Sequence, residues 1–211
     1  LITSHNQKKN ITERKFFDLR PAFKNKEALG YIFSYGTHTY ELFAYRAWIF
    51  TFLLWASLRT PNTISSELIS LIIGIFMFIG MVSSLMGAKF CLDYSRKKVL
   101  MIIGFATFVF SVICAISISL PLWVIIILVG IYHAFIMLDS GALTAGTVSV
   151  SDDNERGAIL AFHSIIGFAG GAIAGPIIGF ILDINGGTNN TSAWIFAFIS
   201  MGLGSLFVFL I

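Results

Sequence analysis

Hydrophobic residues fall into six runs along the chain, separated by short polar turns. Each run has roughly the 20 residues that an α-helix needs to cross a bilayer. The strands of an outer-membrane barrel instead alternate over roughly 10 residues, and these runs do not alternate. The pattern therefore predicts an all-α integral membrane protein with a six-transmembrane-helix bundle over residues 28–211, its spans lying at about 31–55, 64–90, 99–119, 122–148, 157–182 and 193–211.

Short local signals predict where these helices begin. Asn25 is expected to cap the first span, and Pro121 to open the fourth. Asp152, followed three residues later by Glu155, predicts a capping box before the fifth span. Pro21 is expected to break any helix that precedes the first span, because the residue before a proline avoids helical geometry.

Composition supports a membrane protein. Hydrophobic residues make up 56% of the chain, the mean hydropathy is +0.85 and 12% of residues are charged, whereas a soluble domain carries about 25% charged residues. We interpret Cys91 and Cys114 as packing residues rather than as a disulfide. The net charge of +3 does not indicate a nucleic-acid partner, so the expected surroundings are the lipid bilayer.

Lys and Arg residues concentrate on one side of the predicted bundle. Seven precede the first span, four lie between the second and third spans and one between the fourth and fifth, against Arg59 alone on the other side. Because basic residues favour the cytoplasmic face, we interpret segment 1–27 as a cytoplasmic basic linker. Both termini are then expected to be cytoplasmic, in the inner (plasma) membrane of a bacterium. Since the sequence starts at Leu1 without Met and ends at Ile211 inside an apolar run, we expect a piece of a longer polypeptide.

Ionisable side chains occur inside some spans and not in others. The first span carries His38, Glu41 and Arg46, the fourth carries Asp139, and the fifth carries His163. Such groups are costly in hydrocarbon and usually face a protein interior or a water-filled cavity. We therefore expect the first, second, fourth and fifth spans to surround a polar solute or proton pathway. The third and sixth spans have no ionisable residue and are expected to be peripheral.

Helical spacing predicts which ionisable side chains of the first span share a face. His38, Glu41 and Tyr45 fall on one face of the helix. Arg46 points well away from that face, so an ion pair with Glu41 within one regular helix is unfavourable. We expect Arg46 to meet a substrate anion or an acid on another helix.

The ionisable residues of the fourth and fifth spans are predicted to lie at the same depth in the membrane. At about 1.5 Å per residue, Asp139 and His163 lie near the depth of the first span's ionisable groups. A carboxylate close to histidines is suited to proton binding, and Tyr132 is included in this predicted pathway. The alternative is that these groups only hydrogen-bond between helices and fix their packing, which is the interpretation preferred for His133.

The fifth span carries a row of glycines at a spacing of four, namely Gly167, Gly171, Gly175 and Gly179. Such a row lets a neighbouring backbone approach closely. Pro176 removes one helix hydrogen bond and is expected to kink the helix. Tight packing and a hinge that moves during transport would both use these residues.

Two motifs resemble the major facilitator superfamily. The stretch GAKFCLDYSRKK, residues 87–98, resembles that family's cytoplasmic motif between the second and third helices of a half. Asp93, Lys97 and Lys98 match the motif, and the departures are Lys89, Tyr94 and Arg96. The stretch GAIAGPIIG, residues 171–179, is similar to the glycine-proline motif on the fifth helix of a half.

The resemblance implies the carboxy-terminal half of a 12-helix fold, helices 7–12, whose partner is a missing N-terminal six-helix half on the same polypeptide. It implies a secondary transporter that moves a small polar or anionic solute by alternating access, and not an enzyme. In that mechanism Glu41 and Asp139 exchange protons while Arg46 attracts the solute. The implied gating loop on the cytoplasmic side contains Asp93, Arg96, Lys97 and Lys98.

Two other classes of membrane protein stay open as alternatives. One is a non-transporting six-helix scaffold or channel subunit, although a channel is expected to have a filter-like loop and the loops here are short. The other is an intramembrane hydrolase, for which Ser140 beside Asp139 is the nearest candidate. The sequence contains no glycine-rich phosphate loop, which argues against an ATP-driven pump, and no cofactor or metal is expected.

Overall fold

The computed structural model describes residues 18–61 and 63–210, and the regular structure of these residues is helical throughout. Residues 1–17, which make up most of the predicted basic linker, lie outside the described part. The helices are α1 (Arg20–Lys24), α2 (Lys26–Leu58), α3 (Ser66–Asp93), α4 (Arg96–Ile116), α5 (Leu122–Leu138), α6 (Ser140–Ser149), α7 (Arg156–Ile184) and α8 (Thr191–Gly202), followed by a 3-10 helix, Leu203–Leu210.

Five helical segments of the described chain are long and apolar enough to cross a membrane, namely Ser66–Asp93, Arg96–Ile116, Leu122–Ser149, Arg156–Ile184 and Thr191–Val208. The helix predicted as the first span, α2, is not among them, because its histidine, glutamate, arginine and tyrosines lower its hydropathy. With 33 residues it is about 50 Å long at about 1.5 Å per residue, which is ample for a bilayer. That α2 also crosses the membrane stays a prediction.

The starts of three helices test the local signals. The Oδ1 atom of Asn25 accepts a hydrogen bond from the backbone N–H of Ala28 at 2.9 Å, which confirms the predicted cap of α2. Helix α5 begins at Leu122, directly after Pro121, as expected. The prediction for Pro21 is wrong, since α1 runs through it. Pro21 lies in the first turn of α1, where backbone N–H groups have no partner within the helix, so its missing N–H costs no hydrogen bond.

The predicted capping box before α7 is also wrong. Glu155 occupies the cap position without a side-chain hydrogen bond to the helix. The backbone carbonyl of Asp152 instead accepts the N–H groups of Glu155 and Arg156, both at 2.8 Å. The Arg156 guanidinium pairs with Asp153 at 2.7 Å, so the turn is held by its backbone and an ion pair.

The predicted fourth span, which corresponds to the apolar segment Leu122–Ser149, is interrupted at a single residue. Helix α5 ends at Leu138 and α6 begins at Ser140, which leaves Asp139 at the junction. A serine-glycine pair, Ser140 and Gly141, follows the junction, and such pairs are a common cause of helix kinks. The carbonyl of Leu138 lies directly against Gly87 of α3, at a point where any side chain would collide with it.

The last span changes its winding partway along. Regular α-helix ends at Gly202, and the chain continues as a 3-10 helix from Leu203. Small residues accompany the change: Gly202 lies against Ser111 of α4, and Gly204 lies against the backbone of Thr37 in α2. The 3-10 segment therefore approaches α2 more closely than larger side chains would permit.

Helices α2 and α7 pack side by side through their glycines. The closest approach is at Gly170, where an added Cβ would overlap the carbonyl oxygen of Gly36. The Thr39 hydroxyl bridges the two helices by hydrogen bonds to the carbonyls of Gly36 at 2.9 Å and Gly167 at 2.8 Å. The predicted row of glycines faces α2 as well, although Gly170 is not a member of it.

Candidate functional site

The centre of the bundle contains a buried acid–imidazole pair. Nδ1 of His38 on α2 lies 2.7 Å from Oδ1 of Asp139, and the two side chains are 2% and 8% exposed. The junction between α5 and α6 places Asp139 here, so the break in the fourth span positions the acid. Opposite charges offset part of the cost of burying either one alone. Nε2 of His38 is buried and has no hydrogen-bond partner in the described part of the chain.

Glu41 lies almost one helical turn further along α2 and is 2% exposed. Its Oε1 accepts a hydrogen bond from the Tyr132 hydroxyl at 2.6 Å, and its Oε2 accepts one from the hydroxyl of Ser205 in the 3-10 segment. Each carboxylate oxygen therefore has its own donor. The expectation that the sixth span is peripheral to the ionisable residues is wrong, because its residue Ser205 donates a hydrogen bond to Glu41.

Tyr45 and His133 fill the layer beside Glu41. The Tyr45 hydroxyl donates to the carbonyl of Val129 at 3.0 Å, and its ring stacks on His133 with 5.0 Å between centroids. His133 is fully buried, and neither ring nitrogen has a hydrogen-bond partner among residues 18–61 and 63–210. Its contacts are therefore packing contacts, and it does not join the pair formed by His38.

His163 lies beside the pair, on α7. Its Nδ1 is 3.1 Å from the hydroxyl oxygen of Thr147, and its Nε2 is 3.4 Å from that of Thr144, both on α6. The ring of Tyr35 stacks on His163 with 3.9 Å between centroids and on His38 with 5.8 Å. Tyr35 therefore touches both imidazoles, and no signal in the sequence singled it out.

Arg46 does not join the other predicted site residues. It is on the exposed face of α2, and its guanidinium carbon lies 5.9 Å from the centre of the Phe43 ring. No acid lies within ion-pair distance of it in the described part of the chain. The spacing prediction that Arg46 points away from Glu41 agrees with this placement, and the acid expected on another helix is not found there.

The predicted gating loop lies at the end of the bundle that carries α1 and the turns α3–α4 and α6–α7, which we call the basic end. Asp93 ends α3, and Lys97 and Lys98 are exposed. A terminal nitrogen of Arg96 donates to the Ser149 hydroxyl at 2.6 Å, which joins the α3–α4 turn to the end of α6. The loop therefore contacts the helix that follows Asp139.

The predicted glycine row lines the contact of α7 with α2, whereas Pro176 is exposed. A Cβ added at Gly167 would meet Tyr35, one at Gly171 would meet Phe43 and one at Gly179 would meet Trp48. The same atom at Gly175 would lie 3.6 Å from the nearest atom, an ordinary contact. Helix α7 continues through Pro176 from Arg156 to Ile184. The packing interpretation rests on these contacts, and the hinge stays a prediction.

A cleft of about 400 Å³ opens at the opposite end of α2 from α1. It contains none of the predicted pathway residues, and its walls are Thr51, Leu54, Trp55, Leu58, Arg59, Thr188 and Asn189. The buried groups around Asp139 are therefore separate from this cleft.

Comparison with protein families matches residues 30–211 to the model of the Major Facilitator Superfamily. The match begins in the first turns of α2 and runs to the end of the chain, so it includes every buried ionisable group described above. Comparisons with curated proteins and with solved structures gave no match.

Proposed function

The chain belongs to the major facilitator superfamily, a family of secondary transporters, and on that premise we propose that it couples solute movement to proton movement. The observation that carries the proposal is the buried contact of 2.7 Å between His38 and Asp139. The transported solute is proposed to be small and polar or anionic, and to move by alternating access of the two sides of the membrane to the site.

The pair offers a reason for coupling proton binding to access by water. With His38 protonated and Asp139 ionised, the pair carries no net charge. Loss of one proton leaves a net negative charge in a buried site, which is costly unless water can reach it. Proton release is therefore expected only in the state in which the site opens to water.

Glu41 is proposed as a second proton-binding group. Its carboxylate accepts two hydroxyl hydrogen bonds, from Tyr132 and from Ser205. A protonated carboxyl has a donor of its own, so protonation requires one of these hydroxyls to turn away or to become an acceptor. Proton binding at Glu41 would thus alter its contact with the 3-10 segment or with α5. Tyr45 and His163 complete the proposed pathway.

Arg46 is proposed to attract the solute from the exposed face of this bundle. That face, with the apolar surface of α3, is proposed to meet the missing six-helix half, since Leu71, Phe78 and Leu85 of α3 are all exposed. Asp93, Arg96, Lys97 and Lys98 are proposed to gate the basic end, supported by the contact of Arg96 with Ser149. The basic end is proposed to be cytoplasmic, in a bacterial inner membrane.

The test is transport by the full-length protein reconstituted in vesicles, with a panel of carboxylates, amino acids and sugars and an imposed pH gradient. Asp139→Asn and Glu41→Gln are expected to abolish accumulation driven by the gradient and to retain solute exchange at equal pH. Asp183→Asn removes an exposed carboxylate at the end of α7 and is the matched control. Gradient-driven accumulation that persists in Asp139→Asn and Glu41→Gln contradicts the proposal. A wild-type protein that moves no solute favours the scaffold alternative.

A further inference from the structure

His163 occupies an intermediate depth between the central pair and the basic end. It lies about 10 Å along α7 from the start of that helix at Arg156, whereas His38 lies about 18 Å along α2 from Lys26. Its side chain is buried and contacts α2 through Tyr35 and α6 through two threonines. Any proton that leaves the pair toward the basic end therefore passes the level of this imidazole.

The hydrogen bonds around His163 assign its neutral tautomer. The Thr147 hydroxyl donates to the carbonyl of Leu143 at 3.1 Å, so its oxygen faces Nδ1 as an acceptor. Nδ1 must then carry the hydrogen, which leaves the lone pair on Nε2. Nε2 faces the hydroxyl of Thr144, a residue exposed on α6. The basic nitrogen of His163 thus points toward the exposed side of α6.

We propose that His163 carries the proton between the His38–Asp139 pair and the water at the basic end, with Tyr35 positioning its ring. This inference rests on the proposed function. In the transfer, which takes place when the site is open to water, the Nε2–H bond of protonated His38 breaks, water passes the proton on, and an N–H bond forms on Nε2 of His163. His38 keeps its Nδ1 hydrogen toward Asp139, and the positive charge moves to His163. That imidazolium then returns the proton to water from the Thr144 side.

The surroundings of His163 accommodate both of its protonation states. As an imidazolium it has two donors, and the hydroxyl oxygens of Thr147 and Thr144 can accept from both. The titratable groups that face it are His38 and Tyr35 of α2, while α6 presents the two hydroxyls and α1 packs Phe23 on the neighbouring Phe162. No carboxylate forms an ion pair with His163 in the described part of the chain, so the proton is not trapped there.

Gly167 makes room for the positioning residue. A Cβ added at Gly167 would lie 2.5 Å from a ring carbon of Tyr35, so the tyrosine ring must move if any side chain is placed there. The same helix offers a matched control at Gly157, where an added Cβ meets nothing within 4 Å. Both substitutions add one methyl group to α7, and only one of them displaces Tyr35.

The experiment measures proton flux with a pH-sensitive dye trapped in vesicles that contain the full-length protein. A pH jump is applied in the presence of the panel solute that the wild type transports best. His163→Gln keeps a polar side chain that cannot carry a proton, and its flux is expected to fall by about tenfold or more. Tyr35→Leu and Gly167→Ala are expected to lower the flux through the displaced ring, whereas Tyr35→Phe and Gly157→Ala keep the wild-type rate. Solute exchange at equal pH is recorded for every variant as the measure of folding.

The outcomes separate the two proposals. Wild-type flux in His163→Gln, together with loss of flux in Asp139→Asn, overturns the role of His163 and leaves the proposed function standing. Wild-type flux in Asp139→Asn overturns the proposed function itself. If His163→Gln also loses exchange, the glycine variants decide: equal flux in Gly167→Ala and Gly157→Ala overturns the inference, and a selective loss in Gly167→Ala supports it.

Discussion

The packing of α2 against α7 makes a sharp prediction about two glycines on one helix. Gly170→Ala would place a methyl group onto the carbonyl oxygen of Gly36 and 2.9 Å from the hydroxyl oxygen of Thr39. Gly175→Ala would place the same group 3.6 Å from the methyl of Ala47, an ordinary contact. The backbone of Gly36 cannot move aside without shifting α2, so we expect the first change to destabilise the protein and the second to stabilise it.

The magnitude follows from two terms of opposite sign. Replacing glycine by alanine in a helix interior stabilises by about 0.8–1.0 kcal/mol, and this term acts at both positions. Inserting atoms into a filled site costs about 1–3 kcal/mol, and this term acts at Gly170 only. Gly175→Ala should therefore gain up to about 1 kcal/mol, and the two variants should differ by about 1–3 kcal/mol.

Thermal unfolding of the purified protein in detergent measures this difference. One kcal/mol corresponds to a change in Tm of about 2–4 °C for a chain of this size. The Tm of Gly170→Ala should lie below that of the wild type or near it, and the Tm of Gly175→Ala above it. Equal gains in Tm for the two variants would refute the close approach of α2 and α7 at Gly170.

Three further changes test other parts of the bundle. Tyr132→Phe removes one donor to the buried Glu41 carboxylate and should lower the free energy of unfolding by about 1.5–3 kcal/mol; an unchanged Tm contradicts this hydrogen bond. His133→Leu replaces an imidazole without hydrogen-bond partners in the described chain and should raise the Tm by an amount equivalent to about 1–3 kcal/mol; a large loss of transport with no gain in Tm would instead assign it a functional role. Trp194→Ala opens a cavity in the aromatic core and should cost about 3–5 kcal/mol, whereas Phe168→Ala, at a side chain 77% exposed, should leave the Tm near that of the wild type.

The sequence predicted the helices and the depth of Asp139 relative to His38, whereas His163 lies closer to the basic end than expected. In lipid every backbone polar group must be bonded within its own helix, so the long apolar runs specify helices with little ambiguity. The rise per residue then places Asp139 at the level of His38, and the structure brings these two side chains into contact. The cap at Asn25 was equally local, because it depends only on the residues that follow it.

The remaining features depend on how helices cross and where their winding changes. A row of glycines at a spacing of four marks one face of α7, but the tightest contact falls at Gly170, beside that row. Ser205 looks like any serine in an apolar run, and its hydrogen bond to Glu41 depends on how the 3-10 segment packs against α2. Tyr35 gave no signal because its importance comes from two imidazoles on separate helices.

The 3-10 winding at the end of the last span makes the length of that segment depend on its helix type. Eight residues from Leu203 to Leu210 extend about 16 Å at about 2.0 Å per residue, against about 12 Å as an α-helix. Rewinding would shorten the segment by about 4 Å, which exceeds the length of a hydrogen bond. Ser205 is the third residue of the segment, so rewinding from Gly202 would move it by about 1.5 Å along the helix axis and turn it by about 60° around that axis. The winding of the last turns and the hydrogen bond to the Glu41 carboxylate therefore change together.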